Sequence, residues 1–151
     1  MAREYEDIIV ESKLDIQYSY HVGPVATRFY DALEKERKIL GIRCGSCKKV
    51  YMPPRATCGA CFKEMDAWVE LKDEGVVTNY TVVHYEEPIH PVKAPFAYAL
   101  IKLDGADTAF IHLLGEVDLK AIRIGMRVKA VFADDTPGNI LDIKYFKPIR
   151  A

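Results

Sequence analysis

Residues 43–61 read RCGSCKKVYMPPRATCGAC and contain all four cysteines of this 151-residue chain. The cysteines form two Cys-x2-Cys pairs, Cys44 with Cys47 and Cys58 with Cys61, separated by ten residues. Two short chelating turns of this kind predict a tetrahedral site of four thiolates, which is the geometry that structural zinc prefers. A site with four protein ligands has no open position for a substrate, so we expect a structural metal. Iron in a rubredoxin-like site would satisfy the same ligands and stays an alternative.

Charge is concentrated around these cysteines. Residues 35–66 hold eight basic and three acidic side chains, whereas residues 1–34 have a net charge of -4 and residues 67–151 a net charge of -2. The basic segment is able to attract an anionic ligand or partner. Alternatively, part of this charge neutralises the zinc thiolates, which formally carry about -2.

The composition is that of a globular protein, with 50% apolar and 28% charged residues and a formal net charge of -1. It excludes collagen, coiled coils and disordered tails. Residues 1–10 lack the basic start and apolar run of a signal peptide, and no apolar run reaches about 18 residues. We therefore expect a cytoplasmic protein that does not enter a membrane.

The periodicity of apolar residues predicts the elements on either side of the cysteines. Apolar residues alternate from Leu14 to Val22, which predicts a half-buried extended segment, and residues 25–40 show the stripe of an amphipathic helix that Gly41 would end. After Trp68, five runs are rich in β-branched and aromatic residues. They cover residues 76–85, 96–103, 108–114, 127–133 and 140–145, with a short helix at 119–123 between the third and fourth.

Three strands, a helix and two further strands follow one another in the order of an OB-fold, although another five-stranded barrel could share that order. The predicted fold is mainly β, with an N-terminal helical arm and a zinc ribbon before a C-terminal five-stranded OB barrel. The corresponding units are residues 1–40 (extended segment and helix), 41–66 (zinc ribbon) and 67–151 (OB-fold domain).

Several short motifs resemble one known family. They are 43–47 (RCGSC), 53–55 (PPR), 58–61 (CGAC), Trp68, 75–77 (GVV), 95–100 (PFAYAL), 124–125 (IG) and 146–148 (FKP). The sequence resembles the two-domain family with a rubredoxin-like zinc ribbon and an acyl-CoA-associated OB-fold. The resemblance implies a non-catalytic accessory subunit of a hetero-oligomer, which assembles with a thiolase-superfamily or related acyl-CoA enzyme and helps bind coenzyme A.

Candidate binding residues follow from charge and loop position. If coenzyme A or an acyl-CoA binds, we expect its phosphates near Lys48, Lys49 and Arg55, with the acyl-pantetheine part along the barrel. Arg55 follows two prolines, and a solvated arginine on a rigid turn is the alternative. His84 and His90 bracket a proline-rich loop at the start of the OB binding face and are further ligand-binding candidates; ordinary loop histidines are the alternative.

Catalysis by the chain alone is not expected. Zinc would occupy all four cysteines, and the sequence has no glycine-rich phosphate loop or nucleophile elbow. His112 alternates with Ile111 and Leu113, so we expect it on the solvent side of a strand.

A nucleic-acid-binding OB module is disfavoured by four carboxylates in the loops that flank the binding face. These are Glu86, Glu87, Asp134 and Asp135, which would repel a phosphate backbone. Single-stranded nucleic-acid binding and independent acyl-CoA binding remain the alternative functions.

Overall fold

The computed structural model describes residues 8–12 and 16–149 of the chain. Within them, one α-helix precedes eight β-strands. These are α1 (Gly23–Glu36), β1 (Ile39–Arg43), β2 (Val50–Tyr51), β3 (Ala67–Leu71), β4 (Glu74–Val83), β5 (Phe96–Leu103), β6 (Phe110–Leu114), β7 (Arg127–Phe132) and β8 (Ile143–Pro148). Two 3₁₀ turns, Leu119–Ala121 and Ile140–Asp142, precede β7 and β8.

The cysteine-rich part forms a small antiparallel sheet with the order β2-β1-β3. Ile42 at its centre lies opposite Tyr51 on one side and Trp68 on the other. The cysteine pairs occupy the turns next to this sheet, so the sheet orients both chelating loops. The domain boundaries at residues 40 and 66 stay predictions.

The C-terminal strands form a ring in the order β4-β5-β6-β8-β7. All neighbours are antiparallel except β6 and β8, which close the ring through one parallel pair, Leu114 with Phe146. This arrangement confirms the predicted mainly β fold, in which a helix and a zinc ribbon precede a five-stranded OB-like domain.

Several strand ends differ from the prediction by one to three residues, and two 3₁₀ turns alter predicted elements of this domain. The short helix at 119–123 is a 3₁₀ turn that ends at Ala121, and Asp118 caps it by accepting from the Lys120 N–H. The last strand begins at Ile143 rather than 140, because Asn139 caps a 3₁₀ turn there by accepting from the Leu141 N–H.

The prediction that the helix reaches Leu40 and ends at Gly41 is wrong. Helix α1 ends at Glu36, where Arg37 adopts a left-handed conformation with φ of 53°. Gly41 instead lies in the middle of β1, and a Cβ atom there would lie 3.0 Å from Leu71 Cδ1 and 3.1 Å from the Tyr51 carbonyl oxygen. This glycine permits close packing of three strands and does not cap a helix.

The predicted half-buried extended segment is also not found in the described residues. Residues 16–22 belong to neither a helix nor a strand before α1 begins at Gly23, and Ile16, Tyr18 and Tyr20 are exposed. The segment lacks burial because no described strand pairs with it. Leu14, where the predicted alternation starts, lies outside the described residues.

The ribbon and the barrel are joined at β2. The Val50 N–H donates to the Asp107 carboxylate at 2.8 Å, and the Asp107 N–H donates to the Val50 carbonyl at 2.8 Å. Thr108 Oγ1 lies 2.8 Å from both the Met52 N–H nitrogen and the Met52 carbonyl oxygen. One apolar cluster then runs from α1 through the ribbon sheet into the barrel, so the parts share a core. In the described part of the chain, no helix is long and apolar enough to cross a membrane.

Candidate metal centre and ligand surface

The two cysteine loops have the same backbone geometry. In the first, the Cys44 N–H donates to the Lys49 carbonyl (2.8 Å) and the Lys48 N–H donates to the Cys44 carbonyl (3.0 Å). In the second, the Cys58 N–H donates to the Lys63 carbonyl (2.9 Å) and the Phe62 N–H donates to the Cys58 carbonyl (2.9 Å). We call these loops the first knuckle (44–49) and the second knuckle (58–63).

The knuckles bring the four thiols together. The Sγ atoms of Cys44, Cys47, Cys58 and Cys61 all lie within 4.8 Å of one another. A tetrahedron with metal–sulfur bonds of about 2.3 Å has sulfur–sulfur edges of about 3.8 Å. The Cys47 and Cys58 sulfurs are 3.7 Å apart, so the donor set fits a tetrahedral metal ion.

A second small core surrounds the thiols. Cys44 and Cys58 are completely buried, and Ile42, Tyr51 and Met65 form a buried cluster with them, against which Trp68 packs. These apolar walls keep water away from the inner two sulfurs. Cys47 and Cys61 are partly exposed at the rim of the site.

Tyr51 is the main polar neighbour of the thiols. Its hydroxyl oxygen lies 3.3 Å from Cys58 Sγ, and a bond donated to the thiolate lowers the pKa of Cys58 to about 6 in the metal-free site. The same bond raises the pKa of Tyr51. Hydrogen bonding to Cys47 is the largest cause that raises the pKa of Cys61, to about 12. Metal binding requires deprotonated thiols, and Tyr51 favours that form at Cys58.

The predicted phosphate-binding side chains lie on the ribbon. Lys48 and Lys49 are exposed on the first knuckle, where Lys48 Nζ donates to the Gly45 carbonyl at 2.6 Å. Arg55 is exposed, and its guanidinium carbon lies 5.4 Å from the centre of the Tyr51 ring. A Cβ atom built on Gly59 would lie 3.8 Å from Arg55 Nη1, so this arginine lies beside the second knuckle.

The two histidine candidates lie in the loop between β4 and β5. His84 is exposed directly after β4. His90 is partly buried: its Nδ1 accepts from the Glu87 N–H at 3.2 Å, and its ring centre is 5.2 Å from that of Phe96. His90 therefore helps shape this loop.

The structure does not bring the lysines, the arginine and the histidines into one cluster. The ribbon contacts Asp107 and Thr108, just beyond the C-terminal end of β5, whereas His90 packs on Phe96 at its N-terminal end. An eight-residue strand is roughly 25 Å long. A ligand that touched both groups would have to extend along the barrel.

Sequence reasoning missed a shallow apolar groove between these two ends. Residues of β4, β5 and β6 line this groove of about 260 Å³. Tyr80, Tyr98, Leu100 and Ile111 supply its apolar surface. The available signal was the alternation within β5, which places Tyr98 and Leu100 on the face opposite the buried Ala97, Ala99 and Ile101.

The expectation that His112 faces solvent is wrong. His112 is only 4% exposed, whereas its neighbour Ile111 is 66% exposed. His112 Nε2 donates to the Ile140 carbonyl at 3.1 Å, and Nδ1 accepts from the Leu113 N–H at 2.7 Å. A neutral ring is thus satisfied inside the barrel wall by a 3₁₀ turn that is distant in sequence.

The carboxylates of the two loops that flank the OB binding face are exposed. Exposure is required if they are to repel a nucleic-acid backbone. Glu86 and Glu87 follow β4, and Asp134 and Asp135 follow β7. They keep this part of the surface acidic, whereas the knuckles are basic.

Two sequence profiles match consecutive parts of the chain. Residues 31–66 match the profile of the ChsH2 rubredoxin-like zinc ribbon domain. Residues 68–133 match the profile of the ChsH2 C-terminal OB-fold domain.

The proteins similar to this chain include two relatives with descriptive names. A DUF35 domain-containing scaffold protein of Methanocaldococcus jannaschii is 35% identical over 77% of this chain and 86% of its own length. A probable enoyl-CoA hydratase alpha subunit of Thermomonospora curvata is 31% identical over 80% of this chain, which spans only 36% of that protein.

The structural similarities cover most of the chain. A chain of the Ltp2-ChsH2(DUF35) aldolase is 26% identical with a TM-score of 0.62, over 85% of this chain and 98% of the other. A DUF35-family protein of unknown function from Sulfolobus solfataricus, 23% identical over 84% of this chain and 87% of its own, shares the fold with a TM-score of 0.64.

Proposed function

Because the chain belongs to the DUF35 family, with a ChsH2-type zinc ribbon followed by an OB-fold domain, we propose that it is a non-catalytic accessory subunit of an acyl-CoA enzyme. The partner is a thiolase-superfamily or related enzyme, and the product of assembly is a hetero-oligomer. The observation that carries this proposal is the similarity to a chain of the Ltp2-ChsH2(DUF35) aldolase along 98% of that chain. The names of the two relatives, a scaffold protein and an enoyl-CoA hydratase subunit, support the same function.

The metal part of the proposal is one structural zinc held by Cys44, Cys47, Cys58 and Cys61. A four-thiol donor set with a 3.7 Å sulfur–sulfur distance supports it, and four thiolates leave no position for a substrate. When bound, zinc cross-links the knuckles and fixes their orientation. Iron would fit the same sulfurs, and elemental analysis of freshly purified protein distinguishes the two metals.

The absence of a catalytic role is supported by what the histidines do. His21 and His90 each accept a backbone N–H through Nδ1, and His112 is buried with both ring nitrogens bonded. A general base needs a free nitrogen beside a nucleophile or substrate. His84, which is exposed at the end of β4, is the remaining histidine.

Coenzyme A would bind along the barrel with its phosphates at the ribbon. Lys48, Lys49 and Arg55 supply positive charge at one end of β5, and the apolar groove beside Tyr98 suits the pantetheine part. His84 and His90 would then meet the acyl end. An open groove of about 260 Å³ supplies only one wall of an acyl-CoA site, and the partner would supply the other.

The proposal is tested by affinity purification from the native host, followed by identification and recombinant co-expression of the co-purified acyl-CoA enzyme. We expect a stable hetero-oligomer with higher activity than the enzyme alone, and no turnover by the isolated chain. Reversing the charges of Lys48, Lys49 and Arg55 should weaken coenzyme A binding or assembly most at low salt. Salt-dependent binding of single-stranded DNA by the isolated chain, with no enzyme recovered, would contradict the proposal. Tight coenzyme A binding without a partner would identify an independent acyl-CoA-binding protein.

A further inference from the structure

Phe62 has an unusual backbone for an aromatic residue. Its φ is 57°, in the left-handed region that side chains with a Cβ atom avoid. Four non-glycine residues in the described chain have positive φ, and the other three, Arg37, Lys48 and Glu116, are charged. A glycine at position 62 would adopt this conformation without strain. The fold therefore accepts a cost to hold a phenylalanine here.

Phe62 does not contribute its ring to either hydrophobic core. Its side chain is 82% exposed at the second knuckle. The equivalent position of the first knuckle is Lys48, which makes the same backbone bond to the first cysteine of its pair. The backbone of a knuckle therefore forms with a polar residue at this position, and the aromatic ring is not needed for it.

The surroundings of Phe62 are basic. Residues 43–66 contain five exposed basic side chains, Arg43, Lys48, Lys49, Arg55 and Lys63, and two exposed acidic ones, Glu64 and Asp66. Their net charge of +3 exceeds in magnitude the formal charge of about -2 on a zinc–thiolate centre. An aromatic side chain on a rigid turn with a positive border complements an apolar pocket with a negative border.

We infer that Phe62 is an anchor that inserts into an apolar pocket bordered by carboxylates on the acyl-CoA enzyme subunit. The inference rests on the proposed function and specifies the contact. A single exposed aromatic residue on a rigid support is typical of an interface hot spot, because it buries a large area at little cost in conformational entropy. A membrane surface would instead favour several apolar side chains on one face, whereas the two residues that follow Phe62, Lys63 and Glu64, are exposed and charged.

The test measures the affinity of the full chain for the enzyme identified by co-purification. Phe62→Ser should weaken binding at least about tenfold, the range of hot-spot truncations. Phe62→Gly should weaken binding as much while leaving the melting temperature unchanged or raised, because glycine relieves the backbone strain. Phe62→Trp should retain binding. Ile124→Ser, which removes an apolar side chain that is 66% exposed on the barrel, is the matched control and should bind as the wild type does.

The outcomes separate this inference from the proposed function. If the wild type assembles with the enzyme and both Phe62→Ser and Phe62→Gly assemble equally tightly with full zinc content, the inference is wrong and the proposed function stands. If the wild type assembles with no acyl-CoA enzyme, both are wrong. Phe62-dependent binding to vesicles of phosphatidylcholine and phosphatidylserine, with unchanged enzyme affinity, would overturn the inference in favour of a membrane contact. A benzoylphenylalanine at position 62 should crosslink to the enzyme beside aspartate or glutamate residues, and crosslinks to a second copy of this chain would contradict the inference.

Discussion

At the scale of single residues, the metal centre depends most on the two thiols that solvent does not reach. Cys44 and Cys58 are both completely buried, and each begins a knuckle. Loss of one of these thiols would leave three sulfur ligands and an empty fourth coordination position in the buried part of the site. The inner cysteines should therefore be more sensitive to substitution than exposed residues of the same loops.

Cys44→Ser should abolish stoichiometric zinc binding and leave the ribbon disordered or the protein insoluble. A structural zinc site contributes on the order of 10 kcal/mol to the folding of a small module. Ser46→Ala, an exposed change in the same knuckle, is the control and should retain about one zinc per chain. Elemental analysis of both proteins measures this, and a wild-type protein without metal after reducing purification would refute the zinc assignment.

His112 should make the stability of the protein fall in acid. Burial lowers the pKa of His112 below its ordinary value of 6.5, because desolvation disfavours the charged ring. Below that pH the unfolded chain binds a proton that the folded chain excludes, so the contribution of His112 to the free energy of unfolding decreases as pH falls below 6.5 and is constant above it. One proton limits the slope to about 1.4 kcal/mol per pH unit.

Urea unfolding between about pH 5 and pH 7.5 measures the contribution of His112. His112→Gln should be less stable at neutral pH, with a smaller loss of stability in acid. His84→Gln changes an exposed histidine and should keep the wild-type slope. Equal slopes in all three proteins would mean that His112 is not the titrating group.

These residues also show where sequence reasoning is sufficient. The cysteine spacing predicted the convergence of the four thiols because each pair is bridged by a local turn, and only the relation between two turns had to be inferred. The burial of His112 was not predictable from its strand. The carbonyl that satisfies its ring belongs to Ile140, 28 residues later in the chain.

At the scale of elements, the positions of strands are easier to predict than their ends. The five C-terminal strands were found by their β-branched and aromatic runs, but the last one starts three residues later than predicted because Asn139 caps a 3₁₀ turn there. The end of α1 was misplaced because Gly41 resembles a helix-terminating glycine in the sequence alone. Its true role depends on the side chains of Val50 and Leu71, which reach it from neighbouring strands.

Gly75 is required for the start of the barrel at β4. It lies opposite Leu103 of β5 and Val128 of β7, and a Cβ atom there would lie 2.5 Å from the Lys102 carbonyl oxygen. Gly75→Ala should destabilise the protein by about 2–3 kcal/mol, because backbone atoms must move to accept the methyl group. Denaturant unfolding checks this prediction.

Gly45→Ala provides the comparison for that measurement. A Cβ atom at Gly45 would have no atom beyond its chain neighbours within 4 Å. The free energy of unfolding of the Gly45→Ala protein should therefore differ from that of the wild type by less than about 0.5 kcal/mol. If the two alanine variants are equally stable, the crowding at Gly75 is relieved without cost and the prediction fails.

At the scale of the whole molecule, the ribbon and the barrel should unfold together. Their shared apolar cluster includes Leu33 of the helix, Ile39 of the ribbon sheet and Phe146 of the barrel. Zinc binding would then stabilise the barrel as well as the ribbon, since folding of one part completes the core of the other. Polar contacts at β2 provide a way to uncouple the two parts.

Thr108→Val should weaken the joint between ribbon and barrel. The substitution leaves the Met52 N–H and carbonyl without their hydroxyl partner, which costs about 1–3 kcal/mol for a buried polar group. We expect lower stability, retained zinc and faster hydrogen exchange at Val50 and Met52. Thr81→Val, on the exposed face of β4, is the control and should change little. Unchanged exchange rates at β2 would contradict the role assigned to Thr108.

The joint at β2 also bears on the self-association of the protein. Unpaired N–H and carbonyl groups along the edge of a sheet can template another strand, and thus promote aggregation or domain swapping. On the outer side of β2, Asp107 pairs with Val50 and the Thr108 hydroxyl contacts Met52. The barrel thereby blocks this edge with two residues from one loop and prevents a second chain from extending the ribbon sheet there.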